Sequence, residues 1–175
     1  APDFSYVVAE GAPAYRAGKV KSFTRHLLFL KKVASWKNPV IVIHDRVCAG
    51  DPSFKKTWLL HTVAAPRRQG NAFVIENRTR IRFTGDTEAK PRDVWQQYQG
   101  KLHLETILPR DAVSEFIGGE GKEFWVNGQN YPAPLREMDL IMEPGIGRLE
   151  VSPPRPNATD LFLHVLSPAD LSDLT

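Results

Sequence analysis

The chain holds a single cysteine, Cys48, and a lone thiol excludes an internal disulfide framework. Cys48 sits in an apolar strand pattern, where it reads as a small buried hydrophobe. No apolar run approaches the roughly 18 residues that a membrane-crossing helix needs. Ala1 to Glu10 lacks a basic region followed by a long apolar core, so it does not read as a signal peptide. Lysine and arginine are scattered rather than bunched. A net charge of +3 and a pI near 9.1 therefore support a nucleic-acid footprint only weakly and would suit an acidic polysaccharide equally well, so charge alone does not choose. Internal repeats, heptads and low-complexity tracts are missing as well. Helical signals are scarce: only Pro91 to Tyr98 (PRDVWQQY) and the tail Pro168 to Leu174 offer a turn or two, and the first reads best as exposed loop.

What the sequence does have is strands. Lys21 to Leu30, Val40 to Val47 and Thr57 to Val63 are β-branched or aromatic runs of strand length. Turn chemistry separates them at Trp36–Pro39 and Ala49–Pro52. Further strands are predicted at Ala72–Ile75, Thr79–Phe83, Lys101–Leu108, Ala112–Phe116, Glu123–Val126, Gly147–Val151 and Leu161–Val165. The short spacings favour antiparallel hairpins over helical crossovers. With 42% hydrophobic and 25% charged residues, residues 1–175 read as one domain, an all-β antiparallel sandwich of about ten or more strands.

Three positions place metal-ligand chemistry near the middle of successive strands: His26, the His44–Asp45 pair, and His61. Two imidazoles and one carboxylate are a zinc ligand set with a fourth position open. The competing reading is that each histidine is a hydrogen-bonded core or interface residue, and no close H-x-x-x-H pair strengthens the metal. His44 and Asp45 must point to opposite sides of their sheet, so only one of them can join His26 and His61. His103 alternates outward with Glu105 and reads as solvated, whereas His164, among apolar neighbours, reads as a satisfied buried histidine. Lys90, Arg92, Trp95 and Tyr98 lie in the stretch Gly85–Gly100, where rings beside cations can stack on sugars and pair with carboxylates. The alternative there is a loop whose Trp95 packs onto the sandwich. Trp125 reads as core.

Several segments together resemble the sheet domain of heparinase II/III-like polysaccharide lyases. They are VIVIHDRV (40–47), SFKKTWLLHT (53–62), LHLETILP (102–109), GGEGKEFWVNGQNY (118–131), PGIGRLEVSP (144–153) and DLFLHVL (160–166). The resemblance covers nearly the whole chain. It implies a bacterial, periplasmic or secreted protein that breaks uronic-acid glycans by β-elimination, with this sandwich beside a helical α/α toroid. It also implies a structural Zn²⁺ or similar divalent cation on His26, Asp45 and His61, which resolves the facing question towards Asp45. Thr24 stands where many relatives carry a catalytic histidine, and the loop Cys48–Lys56 offers Phe54 where some carry a tyrosine. No catalytic residue is therefore assigned, and this chain alone is expected to be inactive. The alternative function is a non-catalytic carbohydrate-binding or scaffolding sandwich.

Overall fold

The computed structural model describes residues 3–31, 37–78, 80–85, 92–97, 99–131 and 145–172. In chain order the strands are β1 (Phe4–Glu10), β2 (Val20–Leu30), β3 (Val40–Ala49), β4 (Trp58–Thr62), β5 (Arg67–Gln69), β6 (Ala72–Asn77) and β7 (Arg80–Gly85). They continue as β8 (Arg92–Gln97), β9 (Gly100–Leu108), β10 (Val113–Gly118), β11 (Trp125–Val126), β12 (Gln129–Asn130), β13 (Gly147–Ser152) and β14 (Thr159–Ala169). Among the described residues, a 3₁₀ turn at Ala12–Ala14 lies between β1 and β2.

Seven strands form the large antiparallel sheet in the order β1-β2-β3-β14-β9-β6-β5, and β10-β13-β4 form a smaller one. The two faces meet through a core of Trp58, Leu149 and Val151 from the small sheet against Phe73, Leu104, Phe162 and Leu166 from the large one. Leu104, Leu149 and Val151 are wholly excluded from solvent. The chain is thus an all-β sandwich, and its interior follows from alternation. In β14 the buried residues Asp160, Phe162, His164 and Leu166 recur at every second position, so one side of the strand faces the small sheet.

Two local choices shape the edges of this frame. Asn127 (φ 49°) and Gly128 (φ 84°) both occupy the left-handed region, which is the geometry of a two-residue hairpin turn joining β11 to β12. Where the end of β3 meets the turn before β2, Gly50 approaches so closely that a Cβ there would overlap the Gly18 carbonyl oxygen. That crossing fixes one rim of the cleft described below.

Several elements differ from expectation. Phe4–Glu10 is an edge strand that the sequence reading did not assign, and all seven of its residues are exposed. Residues 92–97 pair with 80–85 as a strand rather than forming loop or helix. β14 runs through Pro168 to Ala169, where a helical tail was the alternative. Trp125 is half-buried in the β11–β12 hairpin, with the Lys122 ammonium 5.4 Å from the ring centroid, and lies outside the core cluster.

Candidate functional site

The large sheet is wider than the small one, so the inner face of β2 and β3 extends past the edge of β4. A cleft of about 690 Å³ opens there. Its floor is a forked ion pair: Arg25 Nε donates to Asp45 Oδ1 at 2.7 Å and Nη2 to Oδ2 at 2.6 Å. The register makes this pair possible, since Arg25 and Asp45 are direct partners across β2 and β3. Asp45 is 2% exposed, whereas 42% of the Arg25 side chain remains open to solvent. The hydrogen bonds to Asp45 raise the Arg25 pKa further, so its charge is permanent.

Aromatic rings stand beside this charge. The Arg25 guanidinium lies 5.6 Å from the Phe23 centroid, and Tyr15 meets Phe23 edge-on at 6.2 Å. Phe54 and Lys55, from the loop before β4, and Lys19, from the turn before β2, complete the rim and are exposed. Lys56 has a different task. Its ammonium is buried, donates to the carbonyls of Asn157 at 2.5 Å and Phe54 at 3.2 Å, and makes an ionic contact with Asp160 Oδ2 at 2.9 Å. Asp45 and Asp160 thereby offset Arg25 and Lys56, and Lys19 and Lys55 leave the cleft positively charged. Apolar walls, exposed rings and an excess of cations suit a ligand with flat apolar patches and carboxylate or sulfate groups.

The residues expected to bind metal are not brought together. His26 pairs directly with His44, and Arg25 with Asp45, so His26 and Asp45 point to opposite sides of the large sheet. Asp45 is held by Arg25. His61 lies in the small sheet opposite Arg148, on the side away from the core, and is exposed. The three side chains thus occupy three different surfaces of the sandwich and do not fit one ion. Among the described residues no group of three or more His, Cys, Asp and Glu is gathered as a metal centre. The facing choice falls to His44, whose ring centroid is 5.7 Å from that of His26.

Lys90 and Tyr98 lie outside the described residues, and Arg92 and Trp95 are placed on β8 opposite Gly85 and Arg82. The cleft residues Tyr15, Lys19, Phe23, Arg25 and Lys55 were not singled out by sequence reasoning. The signal for Arg25 and Phe23 was their shared parity on β2, one step out of phase with His26.

The other histidines divide sharply. His164 is fully buried and stacked on Trp58 at 3.9 Å, with Nδ1 3.2 Å from the Thr106 hydroxyl and Nε2 lacking a partner among the described groups. Burial, reinforced by the Arg25 charge, pushes its pKa down to about 4. It is buried as expected, and among the described residues only one of its two ring nitrogens has a hydrogen-bond partner. His103 is half-buried rather than solvated, its Nε2 has no hydrogen-bond partner among the described groups, and burial lowers its pKa.

No known family's sequence profile matches the chain. A 71-residue stretch is 39% identical to Protein efr-3 of Neurospora crassa, covering 40% of this chain but 6% of that protein. The chain spans only that small part of the relative's length.

Proposed function

We propose that this chain is the sheet module of a polysaccharide-lyase-like protein of the bacterial periplasm or exterior, and that its cleft holds an acidic glycan. The observation that carries the reading is the cleft itself, with Lys19, Arg25 and Lys55 around the rings of Tyr15, Phe23 and Phe54. Rings stack on the apolar faces of sugars, and cations recognise their carboxylates. Neutralising a uronate carboxylate is also what proton abstraction beside it requires, because the developing negative charge delocalises onto that group. The segments that resemble lyases support the reading too. They fall on β3, β4, β9, β13 and β14, which are strands of the two main sheets, and on the separate β11–β12 hairpin. In this account the module binds and orients, and a separate helical toroid supplies the proton-transfer groups.

Calorimetric titration of the chain with uronate oligosaccharides and with neutral oligosaccharides of equal length tests the binding step. Binding is expected for the uronates only, weakening several-fold in Lys55→Ala and in Phe54→Ala. Equal affinity for the neutral glycans, or none for either, would overturn the reading. For the reaction, the longer parent protein is expected to raise the absorbance of unsaturated uronate, and Lys55→Ala to lower that rate.

A further inference from the structure

On the face of the large sheet opposite the cleft, a second group of side chains has no role in glycan binding. We propose that His26 and His44 form a site for a borderline divalent transition metal, such as Ni²⁺ or Zn²⁺, with Tyr6 positioning His26.

The two histidines are direct partners in the long β2–β3 ladder, which holds their backbones in fixed register. Their ring centroids are 5.7 Å apart with the planes tilted by 45°. With metal–nitrogen bonds of about 2.0–2.1 Å and each nitrogen roughly 1.1 Å from its ring centre, two imidazoles on one tetrahedral ion hold their centroids about 5 Å apart. Small side-chain rotations close that difference.

Tyr6 completes the arrangement. Its hydroxyl is 2.5 Å from His26 Nδ1, and the two rings stack at 6.0 Å. When His26 Nε2 binds an ion, Nδ1 keeps its proton and donates it to the Tyr6 oxygen. Metal-bound histidines commonly anchor their second nitrogen in this way.

The surroundings favour a cation at this point. Val8 lies beside His26, and Leu163 beside His44, so the flanks are apolar. One step along the same face stand Glu10, Thr24 and Arg46. Thr24 donates to Glu10 Oε1 at 2.9 Å. The Arg46 guanidinium reaches Ser22 Oγ at 3.5 Å, a position farther from the histidines than Thr24, which draws its charge away. Imidazole donors select nickel, copper and zinc over the hard ions magnesium and calcium. Two protein ligands leave the remaining positions to water or to an outside ligand.

Titration of the untagged chain with Ni²⁺, Zn²⁺ and Mg²⁺, followed by calorimetry and by the histidine ring-proton resonances, tests the site. One Ni²⁺ is expected to bind and to broaden the resonances of two of the five histidines first, those of His26 and His44. Mg²⁺ should leave all five unchanged. His26→Gln and His44→Gln should each abolish binding with unchanged denaturation midpoints, and Tyr6→Phe should weaken it by about 10–100-fold. His61→Gln and Asp45→Asn should retain it. Wild-type affinity in His44→Gln would overturn the proposal, as would loss of binding in His61→Gln. Because the cleft lies on the other face, glycan binding is expected to persist in His44→Gln, so failure of either idea leaves the other testable.

Discussion

The two faces of the β2–β3 ladder differ by one residue and by almost everything else. On the inner face Arg25 grips Asp45, and the carboxylate is sealed from water. On the outer face the very next pair, His26 and His44, is half-open and rests against an exposed tyrosine. A pleated strand presents its residues alternately to two environments, so adjacent positions answer to different physics. Inside, a charge must be matched or it costs several kcal/mol. Outside, the same backbone can carry groups whose proton or ligand exchange is open to solvent.

The comparison is broken most severely at Lys56 and Asp160, whose side chains are each 7% exposed. Lys56→Met strands a buried carboxylate, and the expected loss is about 3–5 kcal/mol, read as a lower urea midpoint. Acid should act on the same interior through His164. Its pKa falls from 6.5 free to about 4 in the fold, so between these values the unfolded chain binds more protons. Stability is complete above about pH 6.5 and falls as the pH drops towards about 4, by an amount on the order of 3 kcal/mol. Urea midpoints between pH 4 and 7 measure this slope, which His164→Phe should flatten. Asp45→Ala is expected to cost less, about 2 kcal/mol, because water can reach the abandoned Arg25 guanidinium. Smallest of all, His44→Ala on the outer face should move the midpoint by under about 0.5 kcal/mol. A large loss there would erase the distinction between the faces.

Much of the sandwich was legible because burial repeats with the pleat, most plainly in β13 and β14. β1 escaped because an exposed edge strand has no wet and dry side to contrast. Residues 92–97 escaped because Arg92 and Gln96 share one parity and Asp93 and Gln97 the other, so neither face reads as apolar. The metal expectation failed to assemble for a different reason. Nothing in the local sequence states that His26 meets His44 rather than Asp45, since a one-residue slip exchanges the faces of a strand. Nor does it state that β4 leaves its predecessor's sheet and pairs with β13, far along the chain. Local pattern reveals which residues want burial; it does not reveal which strand will provide it.

The neighbours of β3 carry a consequence in time. One is β2, just upstream, but the other is β14, and Ala49 and Thr159 stand 110 positions apart. At roughly 5–20 residues per second, a ribosome takes about 5–20 s to travel that distance. Throughout that interval β3 has an unpaired edge, and β9 waits for the same partner. The middle of the large sheet is therefore the last part that can close. A nascent chain stalled before β14 exposes two strand edges at once, which makes this interval, rather than the finished fold, the period of greatest risk of aggregation.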